Sequence, residues 1–114
     1  MNWEENYERE INMALEAREE GNEGKARVCA RRAAGHVIGE FILRNGYPQV
    51  ETSAYARLQY LHELKNISLR AREAAYHLLL RITPEHTLPV DVDLIEEARF
   101  LKEYLIDASL SNNI

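Results

Sequence analysis

The sequence predicts an all-α protein: an up-and-down, antiparallel helical bundle of four to five helices in one domain spanning residues 1–114. Apolar residues recur at spacings of three and four in several segments, and no segment alternates as a strand does. Short links with glycine, asparagine or proline separate these segments. A chain of 114 residues that is 46% hydrophobic can also bury a stable core without a disulfide or a structural metal. We expect residues 1–2 and 109–114 to be frayed.

The first helix is predicted from about Trp3 to Glu20, because its apolar residues follow the i, i+4, i+8 and i+11 pattern. Gly21 ends this helix, since glycine tolerates the left-handed conformation found at helix ends. Asn22 can then cap the second helix. So short a link predicts an antiparallel hairpin.

The second helix lies between Asn22 and Gly46 and is the most apolar long helix, so we expect the others to pack against it. Its apolar face consists of Ala26, Cys29, Ala30, Ala33, Ala34, Val37, Ile38, Phe41 and Ile42. Gly35 and Gly39 lie four residues apart inside it, although each glycine costs about 1 kcal/mol relative to alanine. Their presence favours a close helix crossing over a ligand resting there.

The third and fourth helices are less sharply separated. Thr52 or Ser53 can cap the third helix, predicted over about residues 54–65, and the fourth is predicted to end at Thr83-Pro84. The helical spacing of apolar residues continues from one segment into the next, which also allows a single helix of about 30 residues. We favour a break near residues 66–68, because asparagine and serine prefer caps and turns.

The last helix follows an irregular segment, residues 83–92, which holds two of the three prolines. Asp91 or Asp93 can cap it, and acidic residues in its first turn suit the helix dipole. Its predicted apolar stripe is Leu94, Ile95, Ala98, Leu101, Leu105 and Ala108.

Composition narrows the class of protein. A net charge of −5 argues against a broad nucleic-acid-binding surface, but it does not exclude a local basic patch. The single cysteine, Cys29, lies on an apolar face and is interpreted as a buried structural thiol, consistent with a reducing compartment. No apolar run approaches the roughly 20 residues that span a membrane, and the acidic start lacks a signal-peptide layout. We expect a cytoplasmic protein without membrane association.

Three stretches carry a resemblance to a known family. They are KARVCARRAAGHVIGEFILRNG after its Gly-Asn link, LRAREAAYHLLLRITPEH with an Arg-x-x-Pro turn, and VDLIEEARFLKEYL after an irregular link. In this order they resemble the HEPN domain family of small prokaryotic helical bundles. The resemblance covers most of the chain and implies a HEPN-like fold.

The resemblance implies two kinds of function. Some HEPN proteins are partners of minimal nucleotidyltransferases, commonly as dimers in toxin–antitoxin-type pairs. Others are metal-independent ribonucleases that use an Arg-x4-6-His motif assembled across a dimer. Arg72 and His77 (REAAYH) match this spacing where the family places it, and Arg31 and His36 (RRAAGH) match it in the second helix, where the family does not.

Arg72 and His77 carry residue types that RNA cleavage needs. Histidine moves a proton near neutral pH, and arginine holds a phosphate bidentately. Five helical residues rotate by about 140°, so the two side chains diverge unless the helix is distorted or a dimer forms. Glu73 and Leu79 depart from the Asn/Asp/His and Tyr of the motif. The alternative is a surface arginine and a histidine held by Glu73 or packed at the helix edge.

The second helix also carries a candidate binding surface for a nucleotide or a phosphate backbone. Its residues are Arg27, Arg31, Arg32 and His36. The alternative for the arginines is a solvated helix face on which they pair with nearby acids, and such surface pairs contribute little to stability. The alternative for His36 is a position at the helix boundary or in a groove.

The sequence lacks the motifs of metal sites, phosphate-binding loops and nucleophilic hydrolases. No Glu-x-x-His pair occurs, so no metal site is expected, and GNEG at residues 21–24 lacks the P-loop lysine-hydroxyl pair and its strand. No Gly-x-Ser-x-Gly motif occurs either. We therefore expect no cofactor.

Three hypotheses follow. The first is a non-enzymatic HEPN-like binding module, dimeric, acting as a partner of a nucleotidyltransferase or binding nucleotide or RNA. The second is a HEPN-type endoribonuclease using Arg72 and His77, which would require His77 to be exposed beside Arg72 at a dimer interface. The third is a protein–protein assembly bundle, favoured if the three arginines of the second helix pair with acids and no groove lies beside its glycines.

Aromatic residues are candidates for the dimer surface, because interfaces are enriched in them. They are Trp3, Tyr7, Tyr47, Tyr55, Tyr60, Tyr76, Phe100 and Tyr104. The alternative is that they cap the ends of the bundle.

Overall fold

The computed structural model describes residues 2–48, 50–81 and 88–108, and this part of the chain is helical without strands. The helices are α1 (Trp3–Glu19), α2 (Glu23–Arg44), α3 (Ala54–Glu63), α4 (Leu69–Leu79) and α5 (Leu94–Lys102), which continues as a π-helical turn over Glu103–Asp107. The all-α bundle predicted from the sequence is confirmed. None of these helices is both long and apolar enough to cross a membrane.

The helices begin at residues whose side chains cap the first turn. The side chains of Asn22, Ser53, Ser68 and Asp93 each accept a hydrogen bond from a backbone N–H in the first turn of the helix that follows. The Ser68 cap confirms that the third and fourth helices are separate. Asn2 caps α1 in the same way.

The core is centred on α2, as predicted. This helix contacts each of the other helices, most extensively α1. Its apolar face is buried throughout, including Cys29. Burial raises the pKa of the Cys29 thiol, so the protonated, unreactive form prevails at neutral pH.

The end of α4 differs from the prediction. The helix ends at Leu79, and Leu80 has an extended backbone. Arg31 of α2 donates hydrogen bonds of 2.7 Å from Nε to the Leu78 carbonyl and from Nη2 to the Leu80 carbonyl. A side chain from another helix therefore satisfies the terminal carbonyls. The predicted end at Thr83-Pro84 lies outside the described residues.

The last helix also departs from its predicted stripe. Leu105 and Ile106 are buried, whereas Ala108 is exposed. The π-helical turn explains the change, because its i→i+5 bonds rotate later residues away from the 3.6-residue phase.

Six of the eight aromatic residues pack into or against the core. Tyr7 is buried, and five more are partly buried against the core cluster. Tyr55 is 61% exposed and Tyr76 is 46% exposed. Only these two remain as exposed rings within the described residues.

Candidate anion-binding site

A groove of about 190 Å³ lies where the start of α3 crosses α2. It is lined by Arg32, Gly35, His36, Thr52, Ala54 and Arg57. Two guanidinium groups and an imidazole share this groove, and none of its described lining residues carries a carboxylate. It is thus a local cationic site in a chain of net negative charge.

Two glycines of α2 create the space for this arrangement. A Cβ at position 35 would lie 2.9 Å from the Cβ of Ala54, so only glycine allows α3 to approach α2 this closely. The predicted close crossing is confirmed here. A Cβ at position 39 would lie 2.5 Å from Nη1 of Arg57, whose guanidinium occupies that space. Arg57 Nη1 also donates to the Gly35 carbonyl at 3.1 Å, which holds the guanidinium beside α2.

The Arg57 guanidinium is partly buried without a carboxylate partner among the described residues. Burial lowers the pKa of Arg57. A guanidinium nevertheless stays charged at every relevant pH. A half-buried cation that is uncompensated by protein acids is a favourable place for an external anion.

The imidazole of His36 is set between opposing charges. Burial lowers the pKa of His36, the Glu10 carboxylate of α1 raises it, and Arg57 and Arg9 lower it further. The net direction is downward, so His36 is neutral at pH 7. Glu10 is itself buried, and its carboxylate also raises the pKa of the Cys29 thiol.

The N-terminus of α3 adds backbone donors at the edge of this groove. The Ser53 side chain accepts the Ala56 N–H, and the Ser53 carbonyl accepts the Arg57 N–H. The amides of Ala54 and Tyr55 are left as first-turn donors without a partner within residues 2–48, 50–81 and 88–108. Free amides at a helix start favour anions, and the helix dipole acts in the same direction.

A second, larger cavity of about 450 Å³ lies on the other side of the α2–α3 crossing. It is lined by Arg31, Ala54, Tyr55, Leu58, Leu78, Leu79, Leu80 and Arg81. Ala54, which packs against Gly35 at the crossing, lines both cavities.

The predicted anion-binding residues divide between the two cavities. Arg32 and His36 line the groove, Arg31 lines the larger cavity, and Arg27 lies one turn before Arg31. In the described part of the chain, no carboxylate lies within ion-pair distance of Arg27, Arg31 or Arg32. The structure therefore does not show the alternative in which these arginines pair with acids. Sequence reasoning missed Arg57, which α3 contributes; the paired glycines facing it were the available signal.

Arg72 and His77 are engaged separately. Arg72 Nε donates to the His62 carbonyl at 3.3 Å, at the end of α3. His77 Nδ1 lies 2.8 Å from Glu97 Oε2 of α5, and its side chain is only 14% exposed. The partner is therefore Glu97, which the sequence did not indicate, and not Glu73.

The carboxylate of Glu97 is held ionised by its neighbours. Burial alone would raise the pKa of Glu97, but hydrogen bonds from Arg70 and His77 outweigh it and lower the pKa. An ionised carboxylate can only accept, so the Nδ1 of His77 carries the proton. This arrangement ties α4 to α5.

Metal ligands are not clustered. The described residues contain no group of three or more histidine, cysteine, aspartate or glutamate side chains that could hold a metal ion.

Comparison of the chain with protein-family models, with curated proteins and with solved structures found no match.

Proposed function

We propose that this protein is a non-enzymatic binding module that holds the phosphate group of a nucleotide or of RNA in the groove between α2 and α3. The single observation that supports this most strongly is that Arg32 and Arg57 line one groove whose described lining residues include no carboxylate. Acids outnumber bases in this chain, 19 to 14, so a groove that excludes them favours an anionic ligand.

The groove supplies the interactions that a phosphate needs. Guanidinium groups bind phosphate oxygens through two parallel hydrogen bonds, and these charge-assisted bonds are the stronger class. The amides at the start of α3 can donate to the same oxygens. His36 can donate one further hydrogen bond from its neutral ring.

The wider proposal is a HEPN-like, cytoplasmic homodimer that acts as a partner of a nucleotidyltransferase, in a toxin–antitoxin-type pair. The support is the sequence resemblance together with an all-α bundle. The endoribonuclease alternative is less favoured, because His77 is mostly enclosed and bonded to Glu97. The assembly-bundle alternative is less favoured, because a cationic groove does lie beside Gly35.

Calorimetric titration of pyrophosphate at low salt tests the proposal. We expect binding by the native protein and a loss of about tenfold or more in affinity in Arg32→Gln and in Arg57→Gln, since a charged hydrogen bond contributes about 1.5–3 kcal/mol. Arg44→Gln is the matched control, because it removes the same charge from α2 at a guanidinium already paired with Glu40. Absence of binding, or equal losses in all three variants, would contradict the proposal.

The pH dependence of sulfate binding gives a second prediction. Sulfate keeps its charge between pH 5 and 8, whereas His36, with its lowered pKa, gains a proton only on acidification. We expect sulfate affinity to rise as the pH falls below about 6.5, by at most about tenfold per pH unit, because binding is linked to uptake of one proton. His36→Gln should give a flat profile. A native profile that is equally flat would show that His36 does not face the anion.

A further inference from the structure

The groove between α2 and α3 is small for a whole nucleotide. Its volume of about 190 Å³ lies below the roughly 300–1,000 Å³ of pockets that enclose a drug-sized ligand. At roughly 30 Å³ for each water molecule, this volume corresponds to about six waters. A single phosphate group, or two joined ones, fits inside, so the remainder of a larger ligand lies outside the groove.

The fixed charge of the groove matches a doubly charged anion. Arg32 and Arg57 contribute two guanidinium groups that stay charged, and none of the described lining residues carries a carboxylate. A phosphomonoester carries about −1.5 to −2 at pH 7, because its second pKa is about 6. Each internal phosphate of RNA, a phosphodiester, carries a single negative charge. A monoester therefore gains more than a diester from the same two cations.

The two arginines also keep hydrogen-bond donors for a ligand. Arg57 Nη1 donates to the Gly35 carbonyl at 3.1 Å, which fixes the guanidinium and leaves its other N–H groups without a partner among residues 2–48, 50–81 and 88–108. Arg32 is exposed and makes no hydrogen bond or ion pair with another described residue. A guanidinium binds two oxygens at once. A phosphomonoester offers three terminal oxygens to these two groups, and a phosphodiester offers only two.

We propose that the groove is selective for phosphomonoesters, so that it recognises the terminal phosphate of a nucleotide or of an RNA end and not the internal phosphates of an RNA chain. This selectivity rests on the proposed phosphate site and narrows its ligand class. Shape acts in the same direction as charge. A monoester has one substituent to place outside the small groove, whereas a diester has two.

Competition against bound pyrophosphate tests the selectivity with small ligands. Methyl phosphate and dimethyl phosphate differ by one negative charge and one methyl group. At pH 8, where the monoester is almost fully ionised, we expect methyl phosphate to bind at least about tenfold more tightly, the effect of one additional charge-assisted hydrogen bond.

Two variants show whether the preference belongs to this groove. Arg32→Gln should reduce it to about a third or less, because the positive charge facing the ligand falls by half. Arg32 is exposed, so this variant should fold normally. Arg44→Gln is the matched control, since this arginine is already paired with Glu40, and it should keep the native preference.

RNA hexamers distinguish the two sources of a phosphomonoester. A 5′-phosphorylated hexamer that competes with pyrophosphate at least about tenfold better than its 5′-hydroxyl counterpart supports the selectivity and identifies an RNA end as a ligand. Competition by AMP, but by neither hexamer, also supports it and identifies a free nucleotide. Equal competition by the two hexamers overturns it, because internal phosphates would then suffice.

The outcomes separate this selectivity from the proposed function. Equal binding of the two methyl esters overturns the selectivity while the phosphate site stands. A preference that Arg32→Gln leaves intact, or that Arg44→Gln reduces equally, has the same consequence. Failure to bind pyrophosphate overturns the proposed function and the selectivity together.

Discussion

Replacing Arg70 with methionine is expected to lower the free energy of unfolding by about 2 kcal/mol at pH 7. Arg70 Nη1 donates to Glu97 Oε2 at 3.0 Å, and Glu97 is 5% exposed. Removing one partner of a buried ion pair leaves an uncompensated charge, at a cost of about 3–5 kcal/mol. The cost is smaller here because the Arg70 side chain is 46% exposed and so already screened by water, and because His77 still donates to Glu97. Methionine keeps apolar contact with Phe100, over whose ring Arg70 lies.

The pH dependence identifies the charge as the cause. The folded pKa of Glu97 is lowered, so its contribution to stability is present above the unfolded pKa of about 4.3 and is lost as the pH falls through the folded value. The difference between Arg70→Met and the native protein should therefore shrink in acid. Urea unfolding at pH 7 and pH 3 measures it.

Arg99→Met provides the matched control for this prediction. Arg99 pairs with Glu96 at 2.6 Å one turn along α5, with both side chains exposed. Such surface pairs contribute between about 0 and 1 kcal/mol. Equal destabilisation by the two substitutions would show that the Glu97 cluster is not a buried electrostatic link between α4 and α5.

Gly35→Ala is expected to destabilise the fold by about 1–2 kcal/mol, although alanine is the better helix former. The new Cβ would meet the Cβ of Ala54 at 2.9 Å and its Cα at 3.0 Å, so the backbone of α3 must move. Overpacking of this kind costs about 1–3 kcal/mol, and removing a helical glycine returns up to about 1 kcal/mol. Thermal and urea unfolding measure the net change.

Gly39→Ala is the matched comparison for this crossing. The three atoms nearest to its Cβ would all belong to the end of the flexible Arg57 side chain, which can move aside. We expect stability within about 1 kcal/mol of the native protein. Pyrophosphate binding should nevertheless weaken, because the guanidinium no longer occupies its place. A stable Gly35→Ala variant would contradict the close crossing.

The fold could be predicted to the extent that local chemistry determines it. Asn22, Ser68 and Asp93 cap helices because short polar side chains satisfy orphan amides, a preference that needs no tertiary information. The centrality of α2 followed from its apolar periodicity. The end of α4 could not be predicted, because Arg31 bonds to its carbonyls from a distant part of the chain.

The sequence indicated only some of the charged residues that line the candidate site. Arg32 and His36 lie on one helix at a spacing that places them together, so the sequence indicated them. Arg57 comes from another helix, and its position depends on how closely α3 approaches Gly35 and Gly39. The paired glycines predicted a close approach without indicating which helix makes it. The same limit applies to Glu97, whose role depends on the packing of α4 against α5.

A pyrophosphate titration followed by two-dimensional amide NMR tests the central claim most directly. We expect saturable shifts at the amides of Gly35, Gly39, Ala54 and Arg57, because these residues line the groove or pack against its guanidinium. The amides around Phe100, on α5, should stay unchanged, because none of the described residues that line the groove belongs to that helix. Shifts confined to other faces of the bundle, or no shifts at concentrations that saturate ordinary phosphate sites, would contradict a phosphate-binding groove between α2 and α3.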